Sequence, residues 1–363
     1  MSTFEVKVCR VAIEEHPNAD SLDLAVVGDY RSCVRKGQFA SGDLVAYIPE
    51  DSIVTPWLQK ELGVEGKLAG PKHNRVKAVR LRSILSQGLV MKARDYWVEG
   101  QDVAEELNVK KFEVPVPPAL AGEVYNAGGR RTIKYDIENW KKFNKEIPEG
   151  LNVVMTEKLH GTFCCFGVMP DSLQTVDGGH LVVSSKGLGS QGLALKGNTP
   201  KNTYNTYVKM GVDLDIVERV RKVFDVEKVG PVFVIGEIFG QNIQDLNYGT
   251  KEKAQFRVFD IHVGCQGLTN SYYLSDIALS ETCQAMGLER VPVLYRGPFD
   301  KDVMKKYTTG HETVSGKATH IREGVVIRPQ LETFCASLPG NRLQLKSVSE
   351  DYLTRKGDTT EYT

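Results

Sequence analysis

The sequence predicts an α+β protein in two parts, a small β-barrel followed by a larger mixed domain. Three observations carry this. Strand-like runs lie close together over the first hundred residues, without helical periodicity. Three prolines in four residues, Pro115, Pro117 and Pro118, then interrupt the chain in a way that suits an extended connector. Beyond them, helical runs mix with strands over about 240 residues, and a length of 363 fits two domains.

In the front part, Phe4–Ile13 alternates through Val6 and Val8. Leu22–Val27 follows the turn Asn18-Ala19-Asp20, and Leu44–Ile48 follows Ser41-Gly42-Asp43. Between Lys67 and Arg94 the chain carries eight basic residues and no acidic one. Arg75 and Lys77 alternate, and the pattern slips by one to Arg80 and Arg82, which predicts a bulged strand with its charges on one face. An OB-type barrel with a basic face accounts for these features, and an edge strand guarded by its own charges is the alternative. Lysine plus arginine and aspartate plus glutamate both number 46, so the chain is neutral overall while this segment attracts polyanions.

We divide the chain into a barrel at 1–111, a proline-rich linker at 112–123 and an α+β domain at 124–363. In the latter, Ile137–Phe143, Asp213–Val223 and Ser275–Met286 read as helices. Leu181–Ser185, Val232–Ile238, Phe256–Val263 and Gly324–Ile327 read as strands. With 41% hydrophobic and 25% charged residues the composition is that of a folded globular chain. No apolar run reaches the roughly 18–20 residues of a membrane span, and Glu5, Lys7 and Arg10 stand where a signal peptide would be apolar, so a cytoplasmic protein is expected. The seven cysteines form no CxxC pair, which argues against a disulfide framework and a zinc cluster.

Thr156-Glu157-Lys158-Leu159-His160-Gly161-Thr162 is the sharpest local feature. A Lys-x-x-Gly alone says little, since the chain repeats it at Lys60, Lys67 and Lys186. Its weight comes from an ordered set of segments downstream: Val234-Ile235-Gly236-Glu237-Ile238-Phe239-Gly240, Phe256-Arg257-Val258-Phe259-Asp260-Ile261, Glu323-Gly324-Val325-Val326-Ile327-Arg328 and Leu343-Gln344-Leu345-Lys346-Ser347. This set resembles motifs I, III, IIIa, IV and V of the covalent nucleotidyltransferases, the superfamily of RNA ligases, DNA ligases and mRNA capping enzymes. It covers residue 130 to the C-terminus.

The resemblance implies an ATP-grasp-like ligase domain in which Lys158 attacks the α-phosphorus of ATP and carries AMP as a phosphoramidate. A lysine with an ordinary pKa near 10.4 must be made neutral for this, by desolvation or by nearby positive charge. The resemblance further implies that Glu237 and Glu323, with a share for His160 where many relatives carry Asp, hold Mg²⁺ or Mn²⁺, ions that prefer oxygen ligands. Lys346 and Arg328 would meet the phosphates, with Lys346 steadying the α-phosphate as pyrophosphate leaves. Lys186 resembles the motif Ia lysine, with a surface lysine beside a Gly-rich turn as the alternative. Val326 on one side and Phe256 or Phe259 on the other would sandwich the base, and Glu157 resembles the position that reads the amine of adenine.

Only 17 residues follow Lys346, so an OB domain is expected in front of the ligase core and not behind it. That order resembles the Deinococcus-type RNA ligases. His16-Pro17-Asn18-Ala19-Asp20 also resembles a turn of tRNA-binding OB modules. The implied activity is ATP-dependent joining of an RNA or DNA 5′-phosphate to an RNA 3′-OH, at nicks in duplexes, by a monomer engaged in RNA repair. Arg75, Lys77, Arg80 and Arg82 would grip the RNA. A DNA ligase or capping enzyme, and an inactive RNA-binding protein, are the alternatives.

Overall fold

A computed structural model describes residues 3–113, 120–197, 199–250 and 253–356. The three connector prolines fall outside the described residues. The front barrel combines two three-stranded antiparallel sheets, one of Lys7–Arg10, Leu44–Ile48 and Leu89–Lys92, the other of Ala12–Glu15, Leu22–Val27 and Tyr30–Arg35. Strand Leu44–Ile48 shows why the barrel closes around its core. Ala46 and Ile48 join an apolar cluster with Val8, Met91 and Trp97, while Val45 and Tyr47 on the opposite face join Val11, Ala25 and Val90. Alternation of period two thus covers both faces of one strand.

The basic segment does not form one strand. Within Arg75–Arg82 the strand is Val79–Leu81, in a hairpin with Ile84–Ser86, and Arg82 and Ser83 make its turn with φ of 47° and 71°. Two adjacent left-handed residues are what a tight two-residue hairpin turn requires. The expected charged face is therefore dispersed. Arg75 turns away to pair with Asp51 at 2.6 Å and to stack over Phe112 at 3.8 Å.

The second domain holds two antiparallel-dominated sheets. Seven strands run in the spatial order Val124–Asn126, Leu193–Leu195, Leu181–Ser184, Thr162–Val168, Val232–Phe239, Gln255–Val263 and Tyr272–Tyr273. Five run in the order Glu138–Asn139, Leu345–Val348, Gly324–Pro329, Asn152–Lys158 and Val293–Pro298. Val220 and Leu279, on helices Ile216–Val223 and Asp276–Met286, pack with Phe166, Val234 and Ile261 of the larger sheet.

Two expected helices differ. Ile137–Phe143 contains the short strand Glu138–Asn139, parallel to Leu345–Val348, and the Trp140 amide donates to the Lys346 carbonyl, so pairing overrides helical propensity. Asp213–Val223 is divided between helices Thr206–Asp213 and Ile216–Val223, because Asp215 between them adopts φ 47°.

The chain passes from the smaller sheet to the larger through Leu159-His160-Gly161, between strands Asn152–Lys158 and Thr162–Val168. At this crossing a Cβ on Gly161 would collide with the Ile238 carbonyl and the Glu237 side chain, so the chain enters the larger sheet against strand Val232–Phe239 only because that position lacks a side chain. We expect Gly161→Ala to lose about 1–3 kcal/mol in denaturant unfolding, the usual cost of overpacking. Gly187→Ala, whose Cβ would meet nothing within 4 Å, should not lower stability.

Candidate active site

The junction opens into a cavity of about 310 Å³. Strand register brings its charged groups there. Lys158, the last residue of its strand, pairs in register with Gly324, which sets it beside Glu323, and Val326 pairs with Lys346 on the next strand. From the larger sheet, Glu237 stands opposite Phe163. Lys346 and Gln344 flank the core residue Leu345, so period-two alternation turns both toward the cavity. Lys158 and Glu323, 165 residues apart in the chain, thus meet in an ion pair.

Charge and burial set the character of the site. The Glu237 carboxyl is pushed up to about 8, chiefly by desolvation, which the nearby Lys158 opposes. The Lys346 ammonium is pulled down to about 8 by burial and by Lys186 and Lys158. Lys186 itself pairs with Asp136 at 2.9 Å. Lys158, Lys186 and Lys346 around one cavity could seat a polyanion, and the carboxyl groups of Glu237 and Glu323 among them could serve as hard oxygen ligands.

His160 has other partners. Its Nε2 lies 2.8 Å from the Asp245 carboxylate and its Nδ1 2.8 Å from the Tyr352 hydroxyl. Its Nδ1 also stands 3.9 Å from the Glu323 carboxylate, so His160 lies at the edge of the glutamate pair while Asp245 and Tyr352 engage its two ring nitrogens. Among the described residues no three His, Cys, Asp or Glu side chains cluster as a self-sufficient metal site. Glu237 and Glu323 still fit Mg²⁺ or Mn²⁺, since such ions keep waters and take phosphate oxygens to complete their shells.

The apolar walls separate the two motif IIIa aromatics. Phe259 lines the cavity beside Tyr135 and Phe163, with ring centroids 5.4 and 5.9 Å away. Phe256 packs against Phe166 in the core on the opposite face and does not line the cavity. Val326 reaches the cavity from the smaller sheet. Glu157 is buried there: Oε2 accepts from the Thr313 amide at 2.9 Å and hydroxyl at 2.6 Å, while Oε1 has no partner. Arg328 lines the cavity but leans on Asp260 and Glu332, each 3.4 Å away.

Tyr135, Asp136, Asp245, Thr313 and Tyr352 belong to this site and were not singled out from the sequence. Gln344 is the one neighbour that strand alternation about Leu345 could have revealed.

A cavity-lining lysine where two sheets meet, among carboxylates and cations, behind a β-barrel, is the arrangement of ligase-type nucleotidyltransferases. The chain belongs to the RNA ligase family, whose sequence pattern matches residues 151–346. The pattern of an OB-fold domain matches residues 6–93. The fold is similar to solved structures of a Naegleria gruberi RNA ligase at 20% identity: a variant with ATP and Mn (TM-score 0.76, 96% of this chain and 97% of that one) and the enzyme with PPi (TM-score 0.75, 97% and 98%). Another variant, with AMP and Mn, gives a TM-score of 0.74 at the same identity over 96% and 97%. No curated protein matches the sequence. Among the described residues no helix is long and apolar enough to cross a membrane.

The Glu237 shift has a measurable consequence. A carboxyl raised from its ordinary 4.5 to about 8 favours the fold while protonated; that contribution is complete below pH 4.5 and lost as pH rises through 8. Glu237→Gln stays neutral throughout. In metal-free buffer its melting temperature relative to wild type should therefore climb by several degrees between about pH 5 and about pH 8.5. A pH-independent difference would show that Glu237 is not desolvated.

Proposed function

We propose that the chain is an ATP-dependent RNA ligase working through a covalent AMP on Lys158. The observation that carries this is the convergence of Lys158, Glu237, Glu323 and Lys346 on one aromatic-walled cavity. Glu323, paired with Lys158, takes the proton that the ammonium must lose before attack. The neutral amine forms a P–N bond to the α-phosphorus of ATP as the bond to pyrophosphate breaks. Lys346 and Lys186 balance the negative charge gathering on the phosphates. Mg²⁺ or Mn²⁺ held by Glu237 and Glu323 would supply further charge neutralisation there. AMP then passes to an RNA or DNA 5′-phosphate, breaking the P–N bond. Attack by an RNA 3′-OH on that 5′-phosphate releases AMP and leaves a phosphodiester.

Phe259 and Val326 suit a planar base, and the unpartnered Glu157 Oε1 suits the amine of adenine, which guanine lacks at that position. Glu50 and Asp51 of the barrel also line the cavity, so a strand end entering it meets both domains. This favours a nicked duplex over a free end, as in RNA repair. One chain carries every side chain the reaction uses, which supports a monomer. Dependence on ATP favours a cytoplasmic enzyme.

Incubation with α-labelled ATP and divalent metal should label the protein, and α-labelled GTP should not. Lys158→Ala should abolish the label, and label persisting in it would end the assignment. Glu237→Ala and Glu323→Ala should each lower the rate of label formation on the order of 10²–10³-fold, the usual loss on removing one preorganised charge.

A further inference from the structure

A second cavity, of about 390 Å³, lies at the seam between the barrel and the C-terminal end of the described chain. Its walls come from the two extremes of the fold. Lys77, Val79 and Arg80 belong to the barrel hairpin and the segment before it; Leu353, Arg355 and Lys356 follow the last strand of the ligase domain. Leu353 lines this cavity and the Lys158 cavity alike, so the two adjoin at that residue.

The four cations of the seam divide by role. Arg355 is committed to the wall: its guanidinium pairs with Asp245 at 3.0 Å and lies 3.9 Å over the Tyr352 ring. Arg80 is fixed across the seam by Asp351 at 2.9 Å and the Thr354 hydroxyl at 3.1 Å, with Glu350 at 4.0 Å. Lys77 and Lys356 have no acidic partner among the described residues, and they carry the excess positive charge. An oriented guanidinium and two ammonium groups without acidic partners, lining one cavity with the apolar Val79 and Leu353, suit a phosphodiester and its sugar.

We propose that this seam seats a backbone phosphate of the nucleic-acid strand that leaves the Lys158 cavity, held by Lys77, Arg80 and Lys356. The proposal rests on the ligase reading for the strand's presence at Lys158. It assigns the polyanion site to the barrel and the tail together, where the sequence pointed to the barrel alone. A phosphate there bridges the domains, so substrate binding ties the barrel to the ligase core.

The test is fluorescence anisotropy of a labelled nicked duplex with an RNA 3′-OH strand, titrated between about 50 and 200 mM salt. Each phosphate contact contributes about 0.7–0.9 to the slope of log affinity against log salt. The double variant Lys77→Glu/Lys356→Glu should flatten that slope by about 1.4–1.8 and weaken binding on the order of tenfold at the lowest salt. Lys77→Gln/Lys356→Gln should flatten it too, which guards against misfolding caused by charge reversal. Lys201→Glu/Lys222→Glu makes the same change of net charge away from the seam and should leave the slope as in wild type. A slope unchanged in both seam variants, or equally flattened in the remote one, overturns the proposal. Labelling of the wild-type protein from ATP is measured in parallel. Its failure, with the seam result intact, sinks the ligase reading and leaves the phosphate seat.

Discussion

The structure depends on one crossing, the three residues by which the chain leaves the five-stranded sheet and enters the seven-stranded one. Leu159 is buried beside Phe239 and Tyr248, His160 is gripped at both ring nitrogens, and Gly161 lies against the Ile238 carbonyl. Because Gly161 has no side chain, the chain runs close against strand Val232–Phe239, which carries Glu237, as it enters the larger sheet. Lys158 ends one strand, and Glu237 pairs across from the beginning of the next. Close backbone packing at Gly161 thus keeps Glu237 near the end of the Lys158 strand.

On that frame the charges are arranged against their own solvation. Lys158, Lys186 and Lys346 face Glu237, Glu323 and Asp136 around a half-buried cavity. Desolvation raises Glu237 and lowers Lys346, so both resist ionisation in the free protein. On the proposed reading, the phosphates of a bound nucleotide would meet the lysines and a divalent ion would be held by the glutamates, which would relieve both shifts together. Burying these charges together costs the fold stability.

The barrel is attached by polar contacts. Asp29 pairs with Lys301 at 3.3 Å, Glu5 with Lys142 at 3.5 Å, Glu138 accepts from Thr3 at 2.7 Å, and Arg80 meets Asp351. Interfaces of this kind are common between domains that move relative to each other. The same tail that receives Arg80 sends Tyr352 to His160, so adjacent residues join the barrel contact to the crossing.

Much of this was readable along the chain. Strands Leu22–Val27 and Leu44–Ile48, and most of Val232–Phe239 and Gln255–Val263, follow from local alternation and turn residues. Lys158, Glu237, Glu323 and Lys346 were picked out by an ordered set of short motifs; the strands at Glu237 and Glu323 were read from the sequence, while Asn152–Lys158 and Leu345–Val348 were not. What lay beyond the sequence depends on distant pairing. Phe256 and Phe259 could not be separated because the register slips where Val258 and Asp260 face Gly236 and Ile235, and that bulge decides which ring turns to the cavity. The basic run from Arg75 to Arg82 bore no sign that Asp51 would take Arg75 or that Arg80 would reach the tail. His160 stood in a motif place without its partners, since Asp245 and Tyr352 lie 85 and 192 residues further on. Local periodicity determines which residues alternate; which face is turned to the cavity, and which charge meets which, is decided only when strands remote in sequence pair.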